Sequence, residues 1–275
     1  MTLARRGLIA SVLGLLGGCS PAALLNTTVS RSGYKLDADI SYGTHPRQKL
    51  DLYTPDQPRP DGKSVIFFYG GSWDSGAKGD YLFVGQALAA SGITTVIPDY
   101  RVYPEVRYPA FLDDGAAATA WAAQKVGSEK LFVAGHSAGA YIAIMMVANT
   151  PYLGAAGVDR MKLPGGIGIA GPYDFLPLTS RRLRDIFGGD RRETQPIEYA
   201  DAPLPPLLLL HGTADTTVKP FNSERLAAAW RKAGGQAELK LYPEVDHIDI
   251  AGAYSGLLRQ RAPTLEDTIS FIDRT

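Results

Sequence analysis

Ser137 stands in the pentapeptide Gly135-His136-Ser137-Ala138-Gly139, within the stretch "VAGHSAGAY". A serine hydroxyl attacks a carbonyl usefully only when a base takes its proton, and that base needs a carboxylate to hold its tautomer. The chain offers four histidines. His45 falls among early strand-like segments, and His136 lies inside the pentapeptide, where its side chain should point away from that of Ser137. His211 ends the apolar run "PLLLLH", a position suited to packing or loop ordering. Elimination leaves His247, in "EVDHIDI" just after the last apolar run, as the base. Asp215 in "LLLLHGTADTTV" is the carboxylate expected to orient it, with Asp174 in "GPYDF" as the alternative. Asp246 and Asp249 are too near His247 in the chain to buttress it without distortion.

Acyl transfer also develops negative charge on the carbonyl oxygen, which must meet hydrogen-bond donors already in place. The amide of Ala138, directly after the serine, is one expected donor. The segment "FFYGGSW" supplies the other, through the amides of Gly71 and Ser72. A plain glycine turn would use the same letters, but these follow the strand after which a second donor is needed.

These residues need a scaffold that brings distant segments to one rim. "SVIFFYG", "ITTVIPDY", "KLFVAGH", "GGIGIAG", "PLLLLHG" and "AELKLYP" are short apolar runs, as expected of strands covered on both faces. Helix-length stretches separate most of them, including "FLDDGAAATAWAAQKVG" and "FNSERLAAAWRKAGG". Such alternation predicts a mostly parallel sheet with helices on both sides. Two earlier segments, "YKLDADISYG" and "RQKLDLYTP", alternate polar and apolar residues and predict two edge strands, giving about eight in all. A last helix is expected from about Thr264. The elbow reading of Ser137 fits this frame: the buried run "KLFVA" precedes it, the apolar "YIAIMMVA" follows, and glycines stand where backbone must approach backbone. Residues 173–206 break the rhythm, being long, charged and proline-rich, and are expected to form a small cap over the carboxyl edge of the sheet.

Basic and acidic side chains balance at 28 each, so no global field favours a nucleic acid. Arg5 and Arg6 precede the uncharged run "GLIASVLGLLGG", too short to span a bilayer but suited to an export signal. The run ends at Cys19, the only cysteine, which excludes an intramolecular disulfide. The chain is therefore expected to divide into a signal peptide, a tether and one catalytic domain over 34–275, with residues 173–206 as its cap or lid.

"LGGC" at 16–19 resembles the lipobox of bacterial lipoproteins, which implies acylation of Cys19 and anchoring to a bilayer of the bacterial cell envelope. The same resemblance implies the bounds 1–18 for the signal peptide and 19–33 for the tether. The domain itself resembles the α/β-hydrolase superfamily, and within it bacterial carboxylesterases related to hormone-sensitive lipase, feruloyl esterases and kynurenine formamidases. The resemblance is carried by "RQKLDLYTP", "YGGSW", "PDYRVYPE", "GHSAGA", "HGTADTTV" and "DH". It implies an α/β-hydrolase fold, a Ser-Asp-His order of catalytic residues, a small ester as substrate, and no metal or cofactor. One departure is Tyr69, where relatives carry a histidine that braces the oxyanion loop. Tyr69 and Trp73 are both candidates for the substrate pocket; Trp73 could instead pack under the loop. An amide or formamide hydrolase with the same triad, or a catalytically silent binding module, are the competing expectations.

Overall fold

Whether an apolar run becomes a central strand is decided by what covers its two faces. The computed structural model describes residues 21–148 and 150–275. It contains eight strands: β1 Tyr34–Ser41, β2 Lys49–Pro55, β3 Ser64–Phe68, β4 Thr94–Pro98, β5 Leu131–His136, β6 Gly166–Ile169, β7 Leu207–Gly212 and β8 Ala237–Tyr242. They form one sheet in the order β1-β2-β4-β3-β5-β6-β7-β8. The β1–β2 and β2–β4 pairs are antiparallel and the rest parallel. Every expected strand is present, and β3, β5 and β7 are buried at every residue. The strand β8 departs from expectation: all but Tyr242 are partly or fully exposed. It is an edge strand, and Glu238 and Lys240 leave its outer side charged, a common protection of an unpaired edge.

Nine helices surround the sheet among the described residues: α1 Pro21–Thr27, α2 Leu82–Ala90, α3 Ala110–Val126, α4 Ala138–Val147, α5 Tyr152–Ala155, α6 Arg181–Phe187, α7 Phe221–Lys232, α8 His247–Gly252 and α9 Thr264–Arg274. α4 is buried along its whole length, which is why its sequence is apolar on all sides and not along one stripe. Because β3, β5, β6, β7 and β8 run parallel, their carboxyl ends reach one rim, and the loops there carry the groups that could react.

The segment 19–33 is not a free tether over its described part. Pro21–Thr27 is helical, Leu25 is buried, Asn26 Nδ2 donates to Gly79 O at 2.8 Å, and the Phe83 amide donates to Asn26 Oδ1 at 3.2 Å. An apolar side chain and a two-way amide dock it onto the start of α2. The expected signal peptide over 1–18 and Cys19 lie outside the described residues. Residues 173–206 contain α6 and two single turns, Arg192–Thr194 and Pro196–Tyr199. They are held down by buried Tyr173, Ile186 and Phe187, and by Tyr141 Oη donating to Thr194 O at 2.7 Å.

Candidate active site

Ser137 sits between β5 and α4 with φ 55° and ψ −123°, a conformation costly for a residue with a side chain. Its neighbours make the turn possible. A Cβ on Gly135 would lie 2.3 Å from Gly139 O, and one on Gly139 would lie 2.0 Å from Phe68 O. Only hydrogen fits at either place, so these glycines are steric requirements of the elbow. The Ser137 amide donates to Ile169 O at 2.9 Å, fixing the turn to the end of β6.

His247 opens α8, a short helix that sequence patterning does not signal. Asp246 is its N-cap: Oδ1 accepts from the amides of Ile248 and Asp249 at 2.9 and 2.8 Å. This cap points the imidazole at Ser137, whose Oγ lies 2.9 Å from His247 Nε2. His247 Nδ1 is 2.7 Å from Asp215 Oδ2. Asp215 Oδ1 accepts from the amides of Thr217 and Val218 at 2.8 and 2.9 Å. Burial alone would raise the Asp215 pKa, but hydrogen bonds from His211 and His247, the His247 charge and the Val218 amide together hold it well below the usual carboxylate range. The carboxylate is thus ionised throughout the physiological range.

The alternatives weighed from sequence lie elsewhere. Asp174 pairs with Arg225 at 2.7 Å, Asp249 pairs with Arg261, and His45 faces Glu105 at 2.7 Å. His211 is fully buried: its Nε2 donates to Val218 O at 2.9 Å and is 3.4 Å from Asp215 Oδ2, while Nδ1 meets Ser223 Oγ at 2.7 Å. It orders the loop that carries Asp215.

The glycine loop after β3 bends sharply. Gly71, Ser72 and Trp73 have φ of 143°, 51° and 60°, and a Cβ on Gly71 would lie 2.2 Å from Ser75 O. Gly71 makes the turn, and its carbonyl accepts from the amides of Asp74 and Ser75. The amides of Ser72 and Ala138 have no partner among the described residues, and both residues line the cavity beside Ser137. That cavity holds about 400 Å³. Its walls include Trp73, Phe175, Leu183 and Phe221, and Lys219 is the one charged residue among them.

Trp73 faces the cavity and packs edge-on against Tyr141 and Phe187, with centroids 5.2 and 4.8 Å away. Tyr69 does not line the cavity, which corrects the expectation for that residue. It is completely buried and stacks on Tyr100 at 4.6 Å, and its hydroxyl accepts from Arg47 Nη2 at 2.9 Å. Arg47 also donates to Gly76 O and Tyr100 O, so an arginine from a distant loop braces the glycine turn through the tyrosine. Another groove, of about 450 Å³, lies at the amino ends of β7 and β8 and contains none of these groups.

The BD-FAE family model matches residues 50–230. The chain belongs to the BD-FAE family. This BD-FAE chain is 27% identical over 260 residues to the probable isoprenylcysteine alpha-carbonyl methylesterase ICME of Oryza sativa subsp. japonica, covering 85% of the present chain and 63% of the rice protein. It is 26% identical over 239 residues to the kynurenine formamidase of Danio rerio, covering 82% and 78%. Among solved structures, Thermogutta terrifontis esterase 2 phosphoramylated by tabun superposes with a TM-score of 0.70 at 25% identity, covering 89% and 96% of the two chains. The chain spans only 50–63% of the length of the plant methylesterases first matched. The eight-stranded sheet with its flanking helices is the α/β-hydrolase fold.

One titratable group of the BD-FAE elbow has a measurable signature. Burial, reinforced by the neighbouring His247, lowers the His136 pKa from its ordinary 6.5 to about 3. Protonation therefore favours the unfolded chain, where histidine titrates normally. The stability concerned is complete above pH 6.5 and is lost as pH falls towards 3, with about 2 kcal/mol gone by pH 5. Urea unfolding at pH 7.5 and pH 5.0 should show the wild type losing about 2 kcal/mol more than His136→Gln. Equal losses in the two proteins would contradict the neutral, buried state of His136.

Proposed function

We propose that the protein is a serine carboxylic ester hydrolase acting on short acyl or aryl esters through an acyl-enzyme. The observation that carries this reading is the continuous path from Ser137 Oγ through His247 to Asp215, at 2.9 and 2.7 Å. With Asp215 ionised, His247 donates Nδ1–H to Oδ2 and keeps a lone pair on Nε2 facing the serine. Ser137 attacks the ester carbonyl as Nε2 takes its proton, and the amides of Ser72 and Ala138 are positioned to receive the oxyanion, with Gly71 shaping that loop. Nε2–H then protonates the departing alcohol. Water, deprotonated by the same nitrogen, attacks the acyl carbon and releases the acid and Ser137.

The rice methylesterase and the Thermogutta esterase support ester chemistry. The apolar cavity of about 400 Å³, bounded by residues of the 173–206 segment, favours short acyl chains or a single aryl ring. Turnover of p-nitrophenyl acetate, propionate and butyrate should exceed that of the laurate in kcat/KM by roughly tenfold or more. A laurate preference would refute the size limit. If neither esters nor a fluorophosphonate react with Ser137, a silent binding module becomes the better account. The zebrafish formamidase likeness favours a second reading, hydrolysis of an aryl formamide. A kcat/KM for N-formylkynurenine above that for every simple ester would establish it.

A further inference from the structure

His136 occupies a position that the elbow itself leaves open, since only the flanking glycines are sterically required. An apolar residue there would cost less to bury than an imidazole. Instead both ring nitrogens are engaged. Nε2 lies 3.0 Å from His247 O, and Nδ1 lies 2.7 Å from Tyr81 Oη. The Tyr81 oxygen in turn accepts from the Gly70 amide at 3.2 Å. The imidazoles of His136 and His247 are 4.7 Å apart between centroids.

The proton positions are determined by chemistry. His247 O can only accept, so His136 carries its hydrogen on Nε2. Its Nδ1 is then a lone pair that receives the Tyr81 hydroxyl hydrogen, and the lone pairs of Tyr81 Oη are left for Gly70 N–H. Burial keeps His136 neutral, with a pKa of about 3, so Nδ1 stays an acceptor at neutral pH. The path runs in one direction from the glycine loop to the backbone of the base.

We propose that Tyr81 and His136 are positioning residues of the hydrolysis, a strut of three hydrogen bonds that sets the spacing between the oxyanion loop and His247. This rests on the esterase reading and deepens it. The loop beginning at Gly70 presents Ser72 to the oxyanion, whereas α8 presents His247, and the two are 177 positions apart in the chain from Gly70 to His247. The Ser137 attack needs both at fixed distances from one carbonyl. The convergence is tight: a Cβ on Gly70 would lie 3.0 Å from both Tyr81 Oη and Ser137 Cβ.

The test compares Tyr81→Phe, His136→Asn, His136→Gln and the Tyr81→Phe/His136→Asn double variant, each normalised to active sites counted by fluorophosphonate labelling of Ser137. Asparagine keeps an acceptor near the Nδ1 position but cannot reach His247 O; glutamine does the reverse. Tyr81→Phe and His136→Asn are each expected to lower kcat on p-nitrophenyl butyrate by about ten- to a hundredfold with KM changed less than about twofold. Affinity for a butyl boronic acid, which becomes tetrahedral on Ser137, should fall by a similar factor. The double variant should lose no more than the worse single, because a strut broken twice is still one broken strut. His136→Gln, which keeps the link to His247 O but severs the one to Tyr81, should lose about as much as Tyr81→Phe, since a strut fails wherever one link fails. Losses that add, or that appear in KM alone, would overturn the strut, as would undiminished kcat in Tyr81→Phe. A wild type that neither labels nor hydrolyses esters would instead refute the esterase reading and the strut with it.

Discussion

Ser137→Ala is expected to remove ester hydrolysis almost completely, by about 10⁴- to 10⁶-fold in kcat. Alanine keeps the backbone of the elbow and its contacts with β3 and β6, so the protein should fold with an unchanged thermal midpoint. What disappears is the hydroxyl oxygen lying 2.9 Å from His247 Nε2. His247 then has water as its sole possible partner, held less well and less nucleophilic. The amides of Ser72 and Ala138 would still favour an oxyanion, leaving slow residual turnover. The measurement is single-turnover and steady-state hydrolysis of p-nitrophenyl acetate, with fluorophosphonate labelling as a parallel readout. Activity above about one hundredth of wild type would remove Ser137 as nucleophile, because triad members act as a unit.

Asp215→Asn should lower kcat by about 10⁴-fold while leaving KM nearly unchanged. The reason lies in how the carboxylate is held. Oδ1 accepts from two backbone amides at 2.8 and 2.9 Å, so the amide oxygen of asparagine must take that side. Its NH₂ group then faces His247 Nδ1 and donates to it. Nδ1 can no longer carry the proton, which moves to Nε2 and points at Ser137, where a lone pair is needed. The base is present in the wrong tautomer. Steady-state kinetics at pH 7 to 9 would check this, and a loss below about tenfold would show that Asp215 does not set the tautomer of His247.

Much of this site is legible in the chain before any coordinate is known, for a physical reason. Ser137, Asp215 and His247 each follow an apolar run, and parallel strands joined by helical crossovers deliver those run ends to one rim. Composition helped, since few histidines compete for the role of base. Other features depend on partners far along the chain and leave no local trace. Tyr69 follows a strand and precedes glycines, as a pocket residue might, yet Arg47, 22 positions away, draws its hydroxyl away from the cavity. His136 resembles an inert filler of the pentapeptide until His247 O and Tyr81 Oη are placed beside it. The helix at Pro21–Thr27 is similar: its amphipathic signal is weak, and its docking depends on Asn26 meeting the Gly79 carbonyl. The charged 173–206 segment discloses an excursion, but its path is set by contacts with Trp73, on which Phe175 stacks and against which Phe187 packs edge-on.

The closeness of Gly139 to the Phe68 carbonyl has an evolutionary corollary. A lineage descending from this protein can scarcely experiment at the elbow, since any heavier side chain there would wedge two backbones apart. Novel specificities must arise where mutation is affordable, through exchanges such as those at Phe175, Leu176 or Leu183 along the cavity wall. The machinery would be inherited nearly frozen while the choice of ester drifts around it.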